Sequence, residues 1–192
     1  MDFYNVVNRP LVTGPDDQKI LGNLVFFPEH HVFTGIVGKL IMELERNLFE
    51  SPEEGILFMD NWMKEVNVAR TVYHGSASFI GNQAERLLSK VSFLEVKLEE
   101  KLENTEKLVL AKLYVKALQQ FNLVVHSFFG QTLKPGYKEL IGQFIVTYRS
   151  LGISIPLKVH LLESHALEFL EMMGEEHGLG FYSEQAMESM HR

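Results

Sequence analysis

The amino-acid sequence predicts an all-α protein: a single helical domain of seven or eight helices with an extended N-terminal arm. Apolar residues recur at spacings of three and four along most of the chain after residue 30, which is the period of an amphipathic helix. Serine precedes glutamate by three residues at Ser51 and Ser92, a pattern typical of helix starts. Internal repeats and low-complexity tracts are not found, and we expect any strand to lie in the first thirty residues or in residues 72–80.

Composition limits the class of protein. The chain has 192 residues, of which 46% are hydrophobic, enough for one core. Its charge is 18 − 25 = −7, which disfavours nucleic acid as a partner of this chain alone. The absence of cysteine excludes disulfides and thiolate metal sites. The start lacks the order of a signal peptide, and we expect an intracellular protein, nuclear or cytoplasmic, that does not enter a membrane.

The first elements are an arm and two helices. Residues 9–31 contain three prolines and two glycines, so residues 1–30 are predicted to form an extended arm, with the helical domain over residues 31–192. An apolar stripe from Phe33 to Leu48 predicts the first helix. Ser51 as cap, Pro52 at the first helical position and Glu54 predict the second.

The middle of the chain is predicted to hold a long connection and a long helix. After "ARTVYHGSASFIG", Asn82 is expected to cap a short helix, and Ser92 the next one. The following helix is expected to run for up to thirty-odd residues, with an interruption near Asn104 allowed, and to end at Gly130. Its first half is charged on most faces and is expected to project from the body, whereas its second half is expected to be buried.

The last helices follow the same period. "PGYKELIGQFIVTYRSLG" predicts one helix and "IPLKVHLLESHALEFLEMMG" predicts another, which Gly174 ends. Ser183 is expected to cap a final helix, and the chain ends at Arg192 about two turns later. We interpret so abrupt an ending as that of a fragment, or of a gene that has lost what followed.

Familiar catalytic motifs are missing from the sequence, which has no GxxxxGK followed by Ser or Thr, no HExxH and no nucleophile elbow. What remains is a set of histidines and carboxylates. These are Glu29, His30, His31, His74, His160, Glu163, His165, Glu168, Glu184, Glu188 and His191.

The strongest metal pattern lies at the end of the chain. Glu184, Glu188 and His191 have helical spacings of four and three, so they project from one face and could hold a divalent cation such as Mg²⁺ or Mn²⁺. The alternative is a solvated helix face. Glu188 and His191 also resemble half of a di-metal site in a helical bundle, but the sequence has no second such pair.

The other candidates are weaker. His160 and His165 would be about 140° apart on a continuous helix, so we expect that they cannot both face one ion and that one is buried and hydrogen-bonded. His74 and Asn82 could form a site in the long connection. The equal alternative is that His74 pins the connection and Asn82 caps a helix.

Several segments together resemble a known group of proteins. The order "RPLVTGPDD", "FFPEHHVFTGIVGKL", "YHGSASFIGNQAERLL", a long helix, "LGISIPLKVHLLESHALEFLE" and "GLGFYSEQAMESMHR" resembles the C-terminal part of uncharacterised proteins encoded by transposable elements. The last segment is also distantly similar to the helix that carries the final glutamate of RNase H-like transposases of the P-element kind. In that comparison Gln185 and Glu188 are the matching positions.

The resemblance implies a specific chemistry. Such transposases hold two Mg²⁺ ions with two aspartates and one glutamate, and the region expected to carry the aspartates has no counterpart here. The leading hypothesis is therefore a non-catalytic, transposase-derived helical module that binds a protein partner or itself and needs no cofactor. The alternatives are a metal-dependent nuclease remnant that uses Glu188, and an unrelated helical regulatory or ligand-binding protein.

Self-association is expected by two routes. The first is an apolar edge at the end of the chain, formed by Phe181, Tyr182, Met187 and Met190. The second is a pairing of projecting helices through leucines that recur every four residues, Leu94, Leu98 and Leu102. Either route predicts a homodimer.

Overall fold

The computed structural model describes residues 29–73 and 76–182, without the side chains of residues 71–73, 76–78, 172 and 182. The predicted all-α fold is confirmed over this part of the chain. It contains eight α-helices: α1 Glu29–Leu48, α2 Pro52–Glu65, α3 Gly81–Ser89, α4 Val91–Lys101, α5 Thr105–Val124, α6 Tyr137–Ser150, α7 Leu157–Ser164 and α8 Ala166–Met172. Most of the predicted arm and the whole of the predicted helix from Ser183 lie outside the described residues.

The first two helices form where their sequence patterns predict. Helix α1 begins at Glu29, two residues earlier than expected, and buries the predicted stripe from Phe33 to Leu48. The hydroxyl of Ser51 accepts a hydrogen bond of 3.2 Å from the Glu54 N–H, and Pro52 occupies the first turn of α2. The predicted cap at Ser51 is thus confirmed.

A short hairpin interrupts the helices. Strands β1 Thr71–Tyr73 and β2 Ser76–Ser78 pair antiparallel, with Thr71 opposite Ser78. The hairpin begins one residue before residues 72–80, the segment to which the sequence had restricted any strand outside the arm. The two strands are three residues each, so the hairpin leaves the fold class unchanged.

Two of the predicted helix caps are wrong. Helix α3 begins at Gly81 after Ile80, so Asn82 lies inside its first turn, where it is exposed. The Gln83 side chain instead accepts from the Ile80 N–H at 3.4 Å. Helix α4 begins at Val91, which places Ser92 within the helix as an exposed residue.

The long helical stretch is two helices that fold back on each other. The chain leaves helical geometry after Lys101, and the Asn104 side chain caps α5 by accepting from two backbone N–H groups at 2.8 and 3.1 Å. Helix α4 packs against α5, and Lys112 pairs with Glu99 at 2.9 Å across them. The prediction that the charged half projects is therefore wrong.

Helix α5 is the central element of the core. It packs against α1, α3, α4 and α6, and it continues as a π-helical turn, Val125–Phe129. Phe121 and Phe128 are completely buried, as the sequence predicted for this half. By length and composition Thr105–Phe129 could cross a membrane, but core helices of soluble proteins pass the same test, and 44% of its most apolar window is buried inside the protein.

The helix predicted from "IPLKVHLLESHALEFLEMMG" is broken. Helices α7 and α8 are separated at His165, whose φ of −122° departs from helical values. Gly174 has a φ of +93°, a left-handed conformation that favours glycine, and the end of α8 there is as predicted. A 3₁₀ turn, Leu179–Tyr182, then packs against the π-helical turn of α5.

Candidate functional site

The break between α7 and α8 brings four polar side chains together. We call them the histidine cluster: His160, Ser164, His165 and Glu168. His160 and Ser164 are one turn apart on α7, and His165 and Glu168 are one turn apart across the start of α8. Because the helix axis changes at His165, residues from both helices meet at one place.

The two imidazole rings of the cluster are neighbours. Their centroids are 5.3 Å apart and their planes are nearly perpendicular, at 89°. The expected separation of about 140° does not hold, because it assumed one continuous helix. His160 is exposed, whereas 19% of the His165 side chain is exposed. The more buried ring is also the one beside a carboxylate, but it is only half-buried, whereas one of the pair had been predicted to be buried.

Each ring has a partner at its Nδ1 atom. Nδ1 of His160 lies 3.3 Å from the Ser164 hydroxyl oxygen, and Nδ1 of His165 lies 3.5 Å from a carboxylate oxygen of Glu168. A carboxylate or hydroxyl beside one ring nitrogen fixes the orientation of the imidazole and sets the role of the other nitrogen. The cluster is thus a pair of oriented imidazoles near the surface.

A second polar group lies at the start of α1. Burial, and then the nearby Glu85 carboxylate, raise the pKa of Glu29 to about 7. Burial lowers the pKa of His30, the neighbouring His31 adds to this, and Glu85 opposes it. The His30 ring lies against Gly81, where an added Cβ would come within 2.5 Å of the ring carbon Cε1. Glu29 is thus a carboxyl that changes charge near neutral pH.

A cleft of about 300 Å³ lies between the α1–α2 and α4–α5 connections. Its two lysines are paired with glutamates of the same cleft: Lys101 with Glu54 at 2.9 Å, and Lys107 with Glu50. The hydrogen bond from Lys101 is the main reason that the pKa of Glu54 is lowered. The lysines and glutamates of the cleft therefore neutralise one another, which indicates that these ion pairs have a structural role.

Two buried carboxylates were not predicted from the sequence. Glu43 is 7% exposed; it pairs with Lys39 at 2.5 Å, and Asn47 donates to it at 3.3 Å and to the Tyr114 hydroxyl at 2.9 Å. Glu45 is 4% exposed and pairs with Arg70. The sequence signal for the first was the spacing of Lys39, Glu43 and Asn47 by four residues.

The predicted metal and catalytic residues fall mostly outside the described structure. His74, Glu184, Gln185, Glu188 and His191 are not among the described residues, so the metal site proposed for the last helix stays a prediction. Within residues 29–73 and 76–182, no three His, Asp or Glu side chains are arranged to hold a metal ion.

None of the family models, curated proteins or solved structures compared with this chain matches it. The resemblance to transposable-element proteins, which rests on short motifs, therefore stays a prediction. What the structure shows is a helical protein with an oriented pair of histidines and several large apolar side chains on its surface.

Proposed function

We propose that this chain is a non-catalytic, intracellular helical module that acts through protein-protein contact, with a second copy of itself as the simplest partner. The observation that supports this is the connection between α6 and α7. Ile155 and Leu157 are 44% and 61% exposed on either side of Pro156. We call these three residues the apolar corner.

The apolar corner is held in place from both sides. The Tyr148 hydroxyl donates a hydrogen bond of 3.1 Å to the carbonyl of Ser154, immediately before the corner. The Lys158 side chain, immediately after it, lies so close to Gly35 of α1 that a Cβ there would come within 2.1 Å of its Cδ. The connection is therefore hydrogen-bonded to α6, and the helix that follows it packs against α1.

A fixed apolar corner is well suited to binding. Contacts that are ordered before association lose less conformational entropy when the partner arrives. Stable contacts typically bury about 800 Å² on each partner, so Ile155 and Leu157 would form the centre of a larger surface. We do not propose the route to a dimer through Leu94, Leu98 and Leu102, because the first two side chains are 0% and 1% exposed and Leu102 is partly buried against the core.

We also propose that the module derives from a transposase. The support is the order of motifs along nearly the whole chain, including "LGISIPLKVHLLESHALEFLE", which contains the apolar corner. In a transposase, a helical region of this kind would pack against the catalytic domain, and an exposed apolar corner fits such an origin.

The mass of the protein in solution tests the proposal. Light scattering over a hundredfold range of concentration should give a mass that rises above the 22.1 kDa of one chain. Ile155→Ser with Leu157→Ser should return the mass to that of a monomer. The matched control is Ile56→Ser with Leu57→Ser on α2, where the side chains are similarly exposed at 43% and 63%, and it should leave the assembly intact.

Two results would count against this reading. A wild-type mass of 22.1 kDa at every concentration would exclude self-association. A second test uses a protein partner captured by the wild-type chain. If that partner bound the chain with Ile155→Ser and Leu157→Ser equally well, the apolar corner would not be the contact surface.

A further inference from the structure

We propose that residues 175–181 form a strap that opens and closes as a unit over the π-helical turn of α5. The ion pairs of Lys138 with Glu171 and Glu175 are the latch that holds this strap closed. The strap is independent of the apolar corner, which lies in another connection. Its opening would uncover the place in the core that the Leu179 side chain fills.

Two glycines let the backbone of the strap lie directly on the end of the π-helical turn. The N–H groups of Gly178 and Gly180 donate hydrogen bonds of 3.0 and 3.2 Å to the carbonyls of Gln131 and Gly130. A Cβ at Gly178 would clash with the Gly130 oxygen, and one at Gly180 would lie 2.5 Å from the Phe129 oxygen. The sequence Gly-Leu-Gly thus allows backbone groups of the strap to pair with carbonyls at the end of the helix, which need partners when they are covered.

The strap also has an apolar anchor. Leu179, between the two glycines, is 1% exposed and packs with the main apolar cluster. Opening of the strap would expose this side chain and break the two glycine hydrogen bonds together. Segments of a protein can open in this way as cooperative units without unfolding of the rest, so the opening of the strap can be measured separately from global unfolding.

The strap begins at a strained turn. Gly174 and Glu175 have successive positive φ angles of +93° and +54°. Glycine adopts this left-handed conformation readily, whereas glutamate does so at a cost in free energy. Such strain persists only where surrounding contacts hold it, and the ion pair with Lys138 is one contact that holds Glu175. Opening would relieve the strain, so this turn is suited to act as a hinge.

Lys138, at the start of α6, connects the hinge to the body of the protein. Its ammonium nitrogen lies 2.9 Å from a carboxylate oxygen of Glu175 and 3.4 Å from one of Glu171. The hydrogen bond with Glu175 is the main reason that the pKa of Lys138 is raised. All three side chains are more than a third exposed, so dissolved salt screens their charges. The latch should therefore weaken as the ionic strength rises.

Hydrogen exchange of the full chain, followed by NMR, tests the strap. The amides of Gly178 and Gly180 report on its opening, and the amides of buried residues on α5, such as Leu118 and Phe121, report on global unfolding. We expect the two glycine amides to exchange faster than the α5 amides. Lys138→Gln should accelerate the glycine amides about threefold, as expected for loss of an exposed ion pair. High salt should do the same to the wild type and should have little effect on Lys138→Gln.

Matched variants isolate the latch and the glycine contacts. Lys134→Gln makes the same change of charge at an exposed position before α6 and should leave the glycine amides unchanged. Gly180→Ala should undock the strap and accelerate exchange of the Gly178 amide about tenfold or more, because the added Cβ clashes with backbone. Gly142→Ala should not accelerate it, since a Cβ there would meet no atom of the described residues within 4 Å.

Two results would overturn the proposal. If the amides of Gly178 and Gly180 exchange as slowly as those of α5, the strap opens only when the whole protein unfolds. If these amides are equally protected in Lys138→Gln and Lys134→Gln, the ion pairs of Lys138 are not the latch.

Discussion

At the scale of single residues, Glu29 shows how burial sets a charge. The carboxyl has a pKa of about 7, raised above the ordinary 4.5 by burial and by the nearby Glu85 carboxylate. The folded protein therefore binds a proton more tightly than the unfolded chain between these two values. The contribution of Glu29 to the free energy of unfolding falls as the pH rises from 4.5 to 7, and it stays unfavourable above 7.

Replacing Glu29 by glutamine should remove this penalty. We expect Glu29→Gln to be more stable than the wild type at pH 8 by about 1 kcal/mol, and the gain should shrink towards zero at pH 4.5. The shift alone would correspond to about 3 kcal/mol, but the side chain is only partly buried and water screens its charge. Urea unfolding at the two pH values measures the effect. A gain that is equal at both would show that protonation is not its cause.

Glu43 differs from Glu29 because its buried carboxylate has compensating partners, an ion pair with Lys39 and a hydrogen bond from Asn47. Removing it by Glu43→Ala leaves Lys39, 17% exposed, without its carboxylate, and a broken buried pair typically costs about 3–5 kcal/mol. We expect a loss at the lower end of that range, because Lys39 can turn towards water. Chemical denaturation measures it, and Lys39→Met combined with Glu43→Leu should cost less than Glu43→Ala alone.

At the scale of helices, the sequence predicted positions well and boundaries less well. The same pattern, serine followed three residues later by glutamate, occurs at Ser51 and Ser92, yet only Ser51 caps a helix. The difference is tertiary: Val91 is 2% exposed and belongs to the core, so the helix begins early enough to bury it. A local pattern could not show this.

A pair of alanine substitutions distinguishes these two serines. Ser51→Ala should lower the free energy of unfolding by about 1 kcal/mol, because it removes the acceptor for the Glu54 N–H. Ser92→Ala should change it by less than about 0.5 kcal/mol, since an exposed helical position tolerates alanine well. Urea midpoints measured side by side decide the matter. Equal losses would mean that Ser92 also caps a helix in solution.

The break at His165 could not be predicted from the helical periodicity of the sequence. Apolar residues continue in helical register through both α7 and α8, and neither glycine nor proline lies between Leu157 and Met172. The sequence therefore gave no signal of a break, and the histidine cluster could not be predicted from it. An interruption near Asn104 was allowed for, but the fold-back of α4 was not predicted, because its charged residues form ion pairs with α2 and α5 while they remain partly exposed to water.

At the scale of the whole molecule, the negative net charge disfavours binding and cleavage of nucleic acid by this chain. The net charge is −7, and after Lys158 the chain has Arg192 as its only lysine or arginine against seven glutamates. Binding to a phosphate backbone depends on lysines and arginines that displace counterions. Cleavage of a phosphodiester by the resembling transposases needs three carboxylates around two metal ions, whereas the resemblance places only Glu188 here.

We therefore expect the isolated chain to bind duplex DNA poorly at physiological salt and to leave it uncut with Mg²⁺ or Mn²⁺. Incubation with labelled duplex, followed by electrophoresis, tests both points, with a known nuclease as the positive control. Cleavage with Mg²⁺ or Mn²⁺ that disappears in Glu188→Ala would instead establish the last helix as catalytic and would remove the basis for a purely binding role.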